Sequence, residues 1–414
     1  MAEVTFPQLI QRACGIDVHL KVVVATIDGA GIQRETRSFK TFTSSLNELK
    51  EWLLSNGVTH VGMESTGVYW KPVYKVLEDS IPNVWIVNAR HIKNVPGHKT
   101  DKMDSEWICK LLLAGLLKPS YIPPKEQRQL RDLTRYRNKL IQQIASEKNR
   151  MMRILEDCNI KLSSVVSNTS GATATSLIDM LCEGKVLTLD DINSVYHGKL
   201  SASPEELLEA CTGFVEEHHI YLLQMIRKDI DQTQTLVDDL SERIKRLLSK
   251  YENVLELLRE IPGFSTKVVE DLVSEIGLDM SHFPSEKHLS SWAGLSPGNN
   301  ESAGKKKSAR ITHGNKQVKA VITEAAWAAT RTKNTFFSER YHRIAARRGK
   351  KRALIAVGHS QLISVYLILS TGSRYHELGA QYMQSKIEQK RKVYLSSELK
   401  KLGYNVSLTK VPQA

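Results

Sequence analysis

Residues 13–39 read ACGIDVHLKVVVATIDGAGIQRETRSF. Apolar and β-branched residues alternate with polar ones along this stretch, which predicts three strands, Ala13–Val18, Lys21–Ile27 and Ile32–Phe39. Asp28-Gly29-Ala30-Gly31 turns the second into the third. Downstream, Ser44–Ser55 reads as an amphipathic helix with Leu46, Leu49, Leu53 and Leu54 inward. Val58–Met63 reads as a buried strand, Val68–Leu77 as a helix, Val84–Val87 as a strand and Asp101–Leu117 as helical. Three antiparallel strands followed by alternating helix and strand is the order of an α/β, ribonuclease H-like (RuvC-like) fold. Pro119, Pro123 and Pro124 then break the chain, so a first domain over 1–122 is expected.

Four acids fall at useful places on this frame. Asp17 and Glu64 end apolar runs, and Asp101 and Asp104 are three apart at the start of a helix, on one face. Two strand-end acids and a helical acidic pair can converge to hold Mg²⁺ and promote phosphodiester cleavage. Taken singly, an acid of this kind is more often a cap or a surface residue than a metal ligand, and Asp101 in particular can simply cap the helix that Asp104 sits on. The neighbours Lys99 and Lys102 are candidates to neutralise phosphate.

The charge balance points the same way. The chain of 414 residues carries a net charge of +13, and 302–352 alone holds fifteen Lys/Arg against Glu324 and Glu339. A second basic stretch runs from Arg90 to Arg153. A charge run is often only a solvated face, but two basic regions around an acidic cluster favour nucleic acid. The five cysteines are widely spaced without a CxxC pair, which indicates neither a zinc knuckle nor a disulfide framework and fits a reducing cytoplasm. No signal peptide is read at the N-terminus. Ala353–Ser373 lacks Asp, Glu, Lys and Arg but includes Gly358, His359, Ser360, Gln361 and Ser364, so a buried helix is expected there and no membrane span.

The middle of the chain carries a different signal. Leu223, Ile226, Ile230, Thr233, Val237, Leu240, Ile244, Leu247, Tyr251, Val254 and Leu258 alternate spacings of three and four, a coiled-coil seam. A weaker seam at Leu130, Leu133, Leu140, Ile144, Met151, Ile154 and Cys158 is interrupted by Arg137 and Glu147. The two can pair within one chain or between subunits. Residues 160–215, rich in Ser, Thr and Gly, read as short helices and loops. These features place a coiled-coil domain over 123–256 with 160–215 inserted.

A mainly helical third domain is expected over 257–375, followed by a basic tail, 376–414. Ile261-Pro262-Gly263-Phe264-Ser265-Thr266-Lys267 resembles half of a helix-hairpin-helix, in which Gly263 and Lys267 face a phosphate; a plain helix–turn–helix packing element is the alternative. Farther on, Ser302 lies between the turn-forming Ala293-Gly294-Leu295-Ser296-Pro297 segment and Lys305-Lys306-Lys307, with Arg310 and Lys316 beyond. A serine hydroxyl needs activation to be a nucleophile, and most serines in such loops only hydrogen-bond.

Together, Gly15-Ile16-Asp17-Val18-His19, Met63-Glu64-Ser65-Thr66-Gly67 and Lys99-Thr100-Asp101-Lys102-Met103-Asp104-Ser105 resemble the DEDD motifs of the insertion-sequence "one-ten" family of transposases, relatives of the Piv invertase. Ala293–Pro297, Glu301-Ser302-Ala303-Gly304 and Gly314-Asn315-Lys316 resemble that family's C-terminal domain, and the likeness runs over roughly residues 12–370. The resemblance implies Mg²⁺ held by Asp17, Glu64, Asp101 and Asp104, and Ser302 as the nucleophile forming a transient phosphoserine bond with DNA. It further implies recombination of donor and target DNA under a structured non-coding bridge RNA, by a homo-oligomer (dimer or tetramer). Lys99, Lys102, Gly263, Lys267, Lys305, Lys306, Lys307, Arg310 and Lys316 are then the expected nucleic-acid contacts. Two competing readings are a Holliday-junction nuclease using the acids and water, and a non-catalytic nucleic-acid-binding protein.

Overall fold

The computed structural model describes residues 8–407 apart from 66, 89–100, 198–199, 298–299, 303–304, 309–310 and 312; for 101–103, 300–302, 305–308, 383–384 and 386–387 it describes the backbone alone. The chain forms two compact units, residues 1–123 and 124–414.

The first unit is built on one five-stranded sheet. Its strands are β1 Arg12–Val18, β2 Val22–Gly29, β3 Ile32–Lys40, β4 His60–Glu64 and β5 Asn83–Val87, in the order β3-β2-β1-β4-β5. β2 is antiparallel to both β1 and β3, whereas β4 runs parallel to β1 and β5 parallel to β4. The alternation read in residues 13–39 thus produces the meander, and the crossover connections produce the parallel half. Helices α1 Thr43–Ser55 and α2 Trp70–Leu77 cover one face, where Ile16, Val18, Val23, Ile27, Leu49, Leu53, Met63 and Leu77 are buried together. Helix α3 Asp101–Leu113 covers the other, with Ala13, Ile108, Cys109, Leu112 and Leu117.

One expected inward residue of α1 is corrected. Leu54 is 42% exposed, and Trp52 is buried instead. At 3.6 residues per turn, Trp52 lies closer than Leu54 to the stripe defined by Leu46, Leu49 and Leu53. Its ring meets Phe39 at 5.6 Å, and the Arg37 guanidinium covers it at 4.9 Å.

The second unit is helical apart from one hairpin among the described residues. Two long helices, α4 Lys125–Asp157 and α9 Glu217–Leu248, pack antiparallel within the chain: Lys250 meets Glu126, Ser241 meets Arg137 and Asp229 meets Gln143. Leu223, Ile226, Ile230, Val237 and Ile244 of the expected seam are buried. The seam does not run on unbroken to Leu258. A short 3-10 turn, Ser249–Tyr251, ends it and rephases the chain, so that α10 Glu252–Arg259 buries Leu255 and Leu258 rather than Val254. Four short helices, α5 Leu162–Val165, α6 Ala172–Cys182, α7 Leu189–Val195 and α8 Pro204–Ala210, close over the far end of the pair. Two of them start with reciprocal caps, Thr188 with Asp191 and Ser203 with Glu206.

At the near end of the pair stand α10, α11 Thr266–Ile276, α12 Glu286–Trp292, α13 Lys316–Ala329, α14 Phe336–Arg348, α15 Lys350–Thr371 and α16 Ala380–Lys401. Arg137, which interrupts the weaker seam, is where α4 receives α11. Its guanidinium is 3% exposed and bonds Glu270 at 2.6 Å and Asp271 at 2.9 Å. Helix α15 is long and apolar enough to cross a membrane. Ala353, Val357, Leu362, Val365 and Ile368 bury it in the same core as α11 and α13, as the sequence leads one to expect of a core helix.

Candidate active site

The acidic site follows from two glycines. A Cβ on Gly15 would lie 2.1 Å from the Ser105 carbonyl oxygen and 2.4 Å from the Cys109 nitrogen. One on Gly62 would meet Ile108 Cγ2 and Leu112 Cδ2 at 3.2 Å. Both strands therefore offer bare backbone to α3, which rests directly on β1 and β4. Its direction is fixed by Cys109 Sγ at 3.4 Å from the Ala13 carbonyl and by Ser105 over Gly15. The helix runs antiparallel to β1, so its first turns lie at the end of the strand that carries Asp17. Ser105 is fully buried and shares a 2.8 Å hydrogen bond with Thr26 Oγ1, whose residue pairs with Gly15 in the sheet.

Strand alternation then aims the acids. Asp17 follows Gly15 by two residues and Glu64 follows Gly62 by two, so both project to the face that α3 covers. Ile16 pairs with Met63, which sets Asp17 and Glu64 level on adjacent parallel strands about 4.8 Å apart. The Asp17 side chain is 13% exposed, with His19 Nε2 2.8 Å from Oδ2. Asp104, partly buried, immediately precedes the Ser105 anchor. Asp17, Glu64 and Asp104 thus share one edge of the sheet. Asp101 is the first residue of α3; its side chain and that of Lys102, together with the whole of Lys99, lie outside the described residues. The donors present are carboxylate oxygens with no thiolate among them, a set suited to a hard divalent cation.

Ser302 belongs to the second unit. It ends β6 Asn300–Ser302 and pairs with Lys305, the first residue of β7 Lys305–Ser308, while Glu301 pairs with Lys306. The side chains of Ser302, Lys305, Lys306 and Lys307 and all of Arg310 lie outside the described residues. The base of this hairpin is held tightly. Pro297 bridges Ile311, and the Asn315 amide donates to the Trp292 carbonyl at 3.0 Å. Gly314 backs onto Gly294, so that a Cβ there would lie 2.2 Å from the Gly294 nitrogen. Asn315 Oδ1 caps α13 by accepting from Gln317 and Val318, and Lys316 begins that helix in solvent.

Gly263 and Lys267 have structural work. Gly263 adopts φ +90°, and a Cβ there would lie 2.2 Å from the Ala325 carbonyl oxygen, so the turn between α10 and α11 packs onto α13. Lys267 Nζ is 2.9 Å from Asp271 Oδ2.

One cluster escaped the sequence reading. Ligand atoms of Glu216, His218 and His219 lie within 4.8 Å of one another at the start of α9, the first two residues exposed and the third buried. The signal is the run Glu216-Glu217-His218-His219, but it also serves as a cap: His219 Nδ1 accepts from the Glu216 amide.

The family model for DEDD transposases of the IS110 group, described as a transposase, matches residues 14–160. A second model, Transposase IS116/IS110/IS902 family, matches residues 255–342. The matches fall in order on the acid-bearing sheet and on the serine-bearing helical region, and together they span more than half of the chain. The chain belongs to the IS110 family of transposases. No curated protein matches the chain. As an IS110-family transposase it is a DNA recombinase and binds DNA as substrate. Membership in a DEDD-type family also implies a divalent metal.

Proposed function

We propose that this transposase excises and rejoins DNA through two groups, an acidic centre of Asp17, Glu64, Asp101 and Asp104 and the hydroxyl of Ser302. The observation that carries the reading is the shared edge of Asp17, Glu64 and Asp104, created by the Ile16–Met63 register and the antiparallel α3. The strand order supports a ribonuclease H-like sheet, and the antiparallel pair α4–α9 supports a coiled coil within the chain.

The four carboxylates hold Mg²⁺, which when bound supplies electrophilic stabilisation of phosphate oxygens. Carboxylate oxygens are the hard ligands that a divalent cation of this kind prefers. Ser302 Oγ forms a bond to a DNA phosphorus as a bridging P–O bond breaks, and the departing oxygen takes up a proton in exchange for the one the serine loses. One phosphoester replaces another, so bond energy is kept for rejoining. Lys305, Lys306, Lys307, Arg310 and Lys316, with Lys99, Lys102, Gly263 and Lys267, contribute phosphate contacts that raise affinity without reading sequence. Sequence choice comes from a structured guide RNA pairing with donor and target, as in other guided systems. The protein acts as a dimer or tetramer in the cytoplasm, and four segments divide the labour: 1–122, 123–256, 257–375 and the basic tail 376–414.

The test is covalent trapping. Protein, co-purified RNA, Mg²⁺ and labelled donor and target DNA are mixed, denatured and resolved beside Ser302→Ala. A labelled protein band present in the wild type and lost in the variant supports the serine. Cut DNA without such a band in either sample overturns it in favour of hydrolysis by the acidic centre alone.

A further inference from the structure

Helices α14 and α15 form a hairpin through Gly349, which adopts φ +84°. Arg340 and Arg343, three apart on α14, share a face and are only partly exposed. The Nε of each is buried and makes no hydrogen bond among the described residues. Arg340 lies over the Phe336 ring, with Cζ 5.8 Å from its centroid. Burial and then the neighbouring Arg343 charge pull the Arg340 pKa down. Across the hairpin His359 is half-buried, and its pKa is lowered by burial first and by Arg340 second, with Glu286 opposing.

Two partly exposed guanidiniums thus stand on one face of α14, with Glu339 four residues before Arg343 and with His359 across the hairpin near enough to feel the Arg340 charge. With each Nε buried, the part of each guanidinium still open is its outer edge, where two like charges on one face favour an anion between them. The planar guanidinium fork matches phosphate and carboxylate alike. The surroundings select phosphate in a chain: the hairpin turn adds Arg347, Arg348, Lys350, Lys351 and Arg352, all exposed. A row of cations leading away from an anchored pair suits a polyanion rather than a lone small acid.

We propose that the α14–α15 hairpin is a nucleic-acid backbone site in which Arg340 and Arg343 clamp one phosphodiester and the basic turn at Gly349 follows the strand beyond it. Choosing phosphodiester over free phosphate rests on the transposase reading; the anion site itself does not.

Binding of duplex DNA and of a structured RNA hairpin to the full chain is measured by anisotropy over a KCl series. Arg340→Gln with Arg343→Gln lowers the slope of log K against log salt by about 1 to 2. Lys228→Gln with Lys245→Gln, which removes the same charge from an exposed face of α9, gives the smaller change of bulk charge loss. Arg340→Lys with Arg343→Lys keeps the charge and loses the fork, so its affinity falls between wild type and the glutamine pair. Loss on DNA, on RNA or on both supports the site and says which backbone occupies it. A slope change no larger than the α9 control on both overturns it. Circular dichroism checks the fold, and if the double variant is unfolded, Arg343→Gln alone is held to the same criterion with a change of about 1. A wild-type chain that traps no DNA would sink the recombinase reading and leave the binding result standing.

Discussion

Asn315 Nδ2 donates to Glu275 Oε2 at 2.9 Å, and Glu275 also accepts from Arg135 Nε at 2.6 Å. Glu275 itself is 2% exposed. The residue that closes the Ser302 hairpin is thereby tied, through one buried carboxylate on α11, to the long helix α4. The same asparagine caps α13, so a single side chain fixes where the hairpin ends and the core begins.

Asn315→Ala is therefore expected to destabilise the second unit by about 1–2 kcal/mol from the lost cap, with a further loss from the missing bond to Glu275. Asn315→Asp keeps the cap but sets a second carboxylate against Glu275, and its urea midpoint should fall below that of the alanine variant. An aspartate variant as stable as wild type would refute the coupling.

Arg137→Met removes the shared partner of Glu270 and Asp271, which are 6% and 2% exposed. Lys267 still holds Asp271, but Glu270 loses its buried cation. Breaking a buried pair by deleting one side costs about 3–5 kcal/mol, and the midpoint of chemical unfolding should drop accordingly. Arg137→Met with Glu270→Leu should recover part of the loss, because the stranded charge is gone.

Gly15→Ala and Gly62→Ala should separate sharply. The first drives a Cβ into backbone atoms of α3 and must lift the helix that carries Asp104; the second presses only side-chain methyl groups of Ile108 and Leu112. Recombination should be lost in Gly15→Ala with DNA affinity kept, and Gly62→Ala should retain measurable activity. Equal activity in the two would show that the approach of α3 to β1 does not set the site.

Asp17→Ala and Ser302→Ala are both expected to abolish strand exchange and to leave nucleic-acid binding near wild type. Only Asp17→Ala should weaken divalent-ion binding by calorimetry. Replacing Lys305, Lys306 and Lys307 together should reduce the salt slope of DNA binding by up to about 3. An unchanged slope counts against phosphate contacts at that strand.

All five cysteines are free and buried. Burial pushes the Cys109 thiol up to about 12 and Cys182 and Cys211 up to about 11, and raises Cys14 and Cys158. Thiolate reagents at pH 8 should leave the native chain unlabelled and titrate five thiols after denaturation. Rapid native labelling would show that one of these cores opens.

The sequence alone determined the local elements of the first unit and the sites of its acids, because strand alternation and helix periodicity are properties of neighbouring residues. Residues 13–39 needed no tertiary information to be read as three strands, and Asp17 and Glu64 were already visible at the ends of apolar runs. What tertiary structure decided was which distant segments meet. Arg137 looked like a flaw in a heptad seam, and only the approach of α11, more than a hundred residues later, makes it an ion-pair hub. Tyr251 and Val254 kept the heptad spacing, yet the packing of Leu255 and Leu258 into the core re-phased the helix. Arg340 and Arg343 were two among fifteen basic residues until the fold buried the Nε atom of each. Spacing along a chain reports the face on which a residue lies; what stands opposite that face depends on long-range packing.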